Sequence, residues 1–355
     1  MSKVLFAAHR QWASRPPDER FPSLQSLYDF TGDRKRNSVE EIMPANGLKI
    51  YSTYGGAVAV NGNLPPSVLT NWSFGQLCAL AGAPSRYLKT LTAQLAAQCL
   101  EYGVHQNGEE HKILIRKGQT DDDGNPLNLT AAFTGPNYGR IWDHEVMDNL
   151  MSAIEGSSWH PPISQDDPKD NSGLYASDRD MFVFLINDEN PVEVENAKLG
   201  RGFFCWNSET GSATFGLTVF LYNYICANHI VWGAEQVKEL RIIHRAKALN
   251  RLYADALPLL NRFVENRRLD DEIKDNVFRA MRNRLGQTQE QVFKWFEGKP
   301  FTSGELAKAW ECGNIGGEDT TSLWGMVQGL TALARQMPHI DKRVNLERRA
   351  GALLN

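Results

Sequence analysis

No apolar run in the 355-residue chain approaches the roughly 20 residues that a membrane-spanning helix needs. The stretch from Val4 to Ala8 is too short for a signal-peptide core, so the expectation is a cytoplasmic protein with no membrane partner. Cysteine is scarce and scattered. The five (Cys78, Cys99, Cys205, Cys226, Cys312) are odd in number and form no CxxC pair, which fits reduced thiols better than a disulfide framework. Nor is there an excess of one charge. With 38 Lys and Arg against 42 Asp and Glu, the formal net charge is -4, so any nucleic-acid surface must be a local patch. The GxxxxGK[ST] phosphate loop, the GxSxG elbow and the HExxH zinc helix are all missing. The balance therefore points away from an enzyme, and no cofactor is expected.

With 42% hydrophobic and 23% charged residues, the chain can bury a substantial core. It is organised around Gly200 to Gly233, a proline-free run rich in aromatic and β-branched residues, which predicts strands. The turn formers Asn207 to Gly211 divide the run into a hairpin. In its second half, alternation sets Phe215, Leu217, Val219 and Leu221 against Thr218, Phe220, Tyr222 and Tyr224. Apolar residues on both faces predict a central strand in a covered sheet, or one face on the core and the other against a ligand.

Along the chain, residues 1–46 read as a polar N-terminal arm with a short helix near Leu24 to Phe30, and 47–104 as a mostly helical region. Within the latter, Gly75 to Leu100 predicts a helical hairpin turning at Gly82, with a second helix starting near Pro84. Residues 105–245 form an α+β core. His111 to Lys117 and Leu127 to Phe133 read as paired strands, Asp143 to Ile154 as a helix, Ser157 to Gly173 as a loop, and Leu174 to Ile186 as one buried strand. A long helix is expected from Ala234, carrying an apolar stripe from Ile242 to Phe263 and kinked at Pro258. Residues 246–355 complete a helical C-terminal region. The predicted class is thus α+β: an antiparallel β-meander packed against a long helix, between helical N-terminal and C-terminal regions.

Three constellations could carry function. Cys226 with His229, joined by Cys205 across the hairpin, could supply an activated thiol or zinc ligands, although a cysteine in an aromatic strand is usually an inert small hydrophobe. Asp178 and Asp180, on one face of a strand, could bind Mg²⁺ for a nuclease or other hydrolase. The third is electrostatic. Between Lys238 and Arg284 stand twelve Lys or Arg and seven Asp or Glu, a local excess of five positive charges beside the aromatic strands. Arg201, Arg241, Arg245, Lys247 and Arg251 would hold phosphates there, while Trp206, Tyr222 or Tyr224 would stack bases.

Four segments resemble the DUF932 family of phage- and plasmid-encoded proteins: Gly75 to Leu88, Phe133 to Leu150, Gly173 to Leu185, and Asn207 to Ala234 with its NSxxG turn and Cys-x-Asn. The resemblance implies a mobile-element origin and the cytoplasm of a host cell. It brings no assigned activity and no catalytic residues. Together these readings predict a homo-oligomeric protein that binds nucleic acid, single-stranded DNA above all, in strand annealing or recombination. The alternatives are the Asp178/Asp180 metal-dependent nuclease and a protein that binds a host defence factor.

Overall fold

The structure is a computed structural model. It describes residues 19–62, 65–120, 126–161, 173–194, 197–223, 240–256, 258–261 and 268–335, with 346 and 349–354. The fold is α+β. Helix α1 (Leu24–Arg36) opens on a Ser23 cap and leads into β1 (Ser38–Pro44), β2 (Lys49–Ser52), β3 (Val58–Asn61) and β4 (Ser67–Leu69). Helices α2 (Asn71–Leu80), α3 (Ser85–Leu88) and α4 (Ala93–His105) follow, then the hairpin β5 (Glu110–Thr120) and β6 (Pro126–Thr134). These strands make a six-stranded sheet in the order β1-β5-β6-β4-β3-β2, in which only the β4/β6 pair is parallel. The amphipathic α4 buries Ala96, Ala97, Leu100 and Val104 against it, with Leu77 and Cys78 of α2.

The second sheet begins after α5 (Asp143–Ile154). Its strands are β7 (Trp159–His160), β8 (Leu174–Ala176), β9 (Met181–Val194), β10 (Ala197–Asn207), β11 (Phe215–Asn223) and β12 (Leu240–Ile242). The order is β12-β11-β10-β9-β7, with β8 also on β9, so the expected meander is present. Phe203, Cys205, Phe215 and Leu217 face one apolar core, together with Met147 and Leu150 of α5. On the opposite face Phe182, Phe204 and Trp206 form a chain of tilted rings with centroids 5.6 and 5.7 Å apart. All three are buried, so this part of the central hairpin is covered on both faces.

Several expectations need correction. Helix α1 is not peripheral: Leu27 is fully buried in the main core and β1 pairs with β5 along its length. The helical hairpin does turn at Gly82, whose φ of 63° suits glycine, but α3 is only four residues long and a new helix starts at Ala93 behind a Thr92 cap. The run from Leu174 to Ile186 is a β8/β9 hairpin folded at Ser177 to Asp180.

The expected long helix is broken as well. Leu240–Ile242 is a strand pairing with Phe215–Leu217, and helix α6 (Ala248–Arg251) passes into a π turn over Leu252–Ala256. The apolar spacing around Ile242 fits period two as well as a helix. The exposed backbone edge of β11 supplies the hydrogen bonds that decide for the strand. From there the buried positions are Ala248, Leu252, Ala256 and Leu260, while Tyr253 is exposed.

Beyond them lie α7 (Arg268–Arg282), α8 (Gln289–Trp295), α9 (Ser303–Ile315) and α10 (Leu323–Arg335), in keeping with a helical C-terminal region. The same apolar core runs from Leu27 through the second sheet to Val277, Val327 and Leu354, without a break at residue 245.

Candidate nucleic-acid interface

The cationic segment starts on edge strand β12. Alternation there exposes Arg241, Ile243 and Arg245 and buries Ile242 and His244. Lys247 and Arg251, in and just before α6, are exposed too. Arg251 pairs with Asp255 through Nε and Oδ2 at 3.0 Å, one helical turn on. Arg245 and Lys247 have no acidic partner among the described residues, which leaves their charges available to an incoming anion.

A rigid backing holds this segment. The His244 ring stacks on Tyr138, with centroids 5.1 Å apart and planes 11° from parallel. Tyr138 donates its hydroxyl to the Ser208 carbonyl at 2.9 Å, and its own carbonyl accepts from Lys112 Nζ at 2.9 Å. Arg140 lies with its guanidinium 5.1 Å from the Tyr138 ring and 5.7 Å from Trp142, while its Nε donates to Glu40 at 2.8 Å. Burial, with Arg140 nearby, depresses the His244 pKa to about 4, so its imidazole is neutral at physiological pH. Gly139 closes the arrangement: a Cβ there would fall 1.8 Å from the Arg245 carbonyl oxygen. Only glycine lets the 135–140 loop approach the segment this closely.

Beneath lies a knot of buried charge centred on the β10/β11 turn. Asn207, Ser208, Glu209 and Thr210, expected as a hairpin turn, are each at most 1% exposed. Glu209 accepts from Arg116 Nη2 of β5 at 3.0 Å and from the Asp143 backbone N–H at 3.0 Å. Its carboxylate thus joins the two sheets and sits at the positive N-terminal end of α5. Asn207 donates to the Ile141 carbonyl and to Asp143 Oδ1, both at 2.8 Å, and Arg34 of α1 stands 3.6 Å from Asp143 Oδ2. Burial, reinforced by Glu209, pushes the Asp143 pKa up to about 7. Trp72 and Gln76 of α2 both donate to the Thr210 carbonyl at 3.1 Å, fastening the turn from the other side.

The structure divides the sequence candidates. Arg241, Arg245, Lys247 and Arg251 come together on one exposed segment, whereas Arg201 is half-buried in β10. Trp206 is 4% exposed and its ring lies across Gly216, so it offers no free face to a base. Tyr222 occupies a position on β11 opposite Gly200, with its side chain outside the described residues, as are Tyr224, Cys226 and His229. Cys205 is buried, and burial raises its thiol to about 12, the reverse of an activated nucleophile or metal ligand.

Asp178 and Asp180 do not share a strand face. They lie in the β8/β9 turn, where buried Asp180 accepts from the Ser177 hydroxyl at 2.9 Å and Asp178 is half-buried, 3.8 Å from Arg179. No cluster of three metal-ligating side chains occurs among the described residues. The residues that sequence reasoning missed are Tyr138, Arg140, Asp143, Glu209 and His244. The sequence offers one signal for them, a buried-strand pattern in HKILIRK interrupted by Arg116, which demands an acidic partner.

Neither a family model nor a curated protein nor a solved structure matches the chain.

Proposed function

We propose that this chain is a DUF932-type mobile-element protein that binds single-stranded DNA through phosphate contacts along residues 241–251 and, as a homo-oligomer, anneals rather than cuts it. The observation that carries this reading is the exposure of Arg241, Arg245, Lys247 and Arg251 on a segment fixed from behind by the Tyr138 stack and by Gly139. Phosphate binding needs exposed cations whose positions are held, since mobile side chains lose more entropy on contact. The nuclease reading has less support, because Asp180 is buried against the Ser177 hydroxyl in the β8/β9 turn and Asp178 stands beside Arg179.

Labelled single-stranded DNA at low salt gives the test. A mobility shift with every strand intact after incubation with Mg²⁺ or Mn²⁺ is expected. No shift at low salt would end the binding proposal, and cut strands would restore a hydrolase.

A further inference from the structure

An open cavity of about 310 Å³ lies between the β2/β3 turn and the helices of the first sheet, away from residues 241–251. Leu69, Phe74, Leu88 and Leu91 form much of its apolar wall, and Lys89 alone among its lining residues is ionisable. Lys89 Nζ reaches the Asn71 side chain and stands 5.9 Å from the centre of the Phe74 ring. Helices α2 and α4 both begin here, at Asn71 and Ala93, so two positive helix ends add to the Lys89 charge. An open cavity whose lining mixes apolar side chains with Thr70, Asn71 and one cation, and holds an aromatic ring and no carboxylate, suits a ligand that is flat and apolar at one end and anionic at the other.

We propose that this cavity binds a planar aromatic group carrying an anion, the chemistry of a nucleotide, with the ring against Phe74 and the anion at Lys89. The inference stands on the cavity and not on the phosphate surface at 241–251. A free mononucleotide and a nucleotide within a strand share this chemistry.

Isothermal titration with thymidine 5′-monophosphate, thymidine and dT12 tests it. The monophosphate is expected to bind at least about ten-fold more tightly than thymidine, as one charge-assisted contact implies. Lys89→Ala, at an exposed position, should erase that difference, and Ala93→Trp, which fills the chamber, should abolish monophosphate binding. Measured with Arg245→Glu and Lys247→Glu in place, so that the 241–251 surface does not contribute, tighter binding of dT12 than of monophosphate identifies a strand as the source, and equal or weaker binding a free nucleotide. Charge reversal at Arg245 and Lys247 should leave monophosphate binding unchanged, which separates this site from the other surface. No binding of monophosphate at millimolar concentration, equal binding of thymidine, or binding that survives Ala93→Trp would overturn the proposal.

Discussion

Glu209 has one carboxylate and two obligations, to Arg116 across the sheets and to the first N–H of α5. Glu209→Gln keeps the shape but leaves Arg116 without its buried counter-charge. It should destabilise the fold by about 3–5 kcal/mol, as broken buried pairs do, seen as a lower urea midpoint with unchanged slope. His244 and Asp143 predict opposing pH effects. His244 has a pKa below its ordinary value near 6.5, so its contribution to stability is complete above that value and is lost as pH falls towards about 4. Asp143, raised to about 7, takes its proton in the folded state first, so it adds stability as pH falls from about 7 towards its ordinary value. The stability of His244→Phe relative to the parent should therefore grow between pH 6.5 and 4, while that of Asp143→Asn should shrink. Urea titrations at several pH values check both. At this scale the sequence showed the exposed cations, because arginine at an edge needs no partner to be recognised. It hid the buried network of charges, because Arg116, Asp143 and Glu209 are far apart in the chain and meet only through folding.

Strands β10 and β11 were legible as elements, since a β-branched, aromatic run bounded by turn formers has few other conformations. Helix α5 was legible to the residue, with Asp143 at its start and Val146, Leu150 and Ile154 on its buried face. The segment from Leu240 was not, because Leu240–Ile242 gains its hydrogen bonds from β11 and not from its own neighbours, while the expected helix start at Ala234 lies outside the described residues. The β8/β9 turn was missed for a related reason. Asp178 and Asp180 flank Arg179 in a pattern that alternates like a strand, yet the Ser177 hydroxyl caps a turn by accepting from the Arg179 and Asp180 N–H groups. Gly139 is where the 135–140 loop comes closest to the cationic segment. Gly139→Ala should push the 135–140 loop off Arg245, costing about 1–3 kcal/mol, a penalty typical of overpacking. It should also weaken DNA binding more than a surface change would. A variant with wild-type stability and wild-type binding would show that the close approach holds nothing in place.

The charge knot joins the two sheets, and a single apolar core continues from the second sheet into the C-terminal helices. The α+β class followed from composition and periodicity. The joining of the sheets did not, because a turn of Asn, Ser, Glu and Thr reads as solvent-exposed until its partners are known. The cations at 241–251 are local, set within a chain of net charge -4. Binding of DNA should therefore depend on a few phosphate contacts and fall steeply with salt. The direct test is the slope of log affinity against log salt for a labelled single strand, measured for the parent and for Arg245→Glu with Lys247→Glu. A parent slope of several units, reduced by roughly two in the double variant together with a large loss of affinity at low salt, is the predicted result. The same slope and affinity in both proteins would contradict the assignment of this segment as the DNA-binding surface.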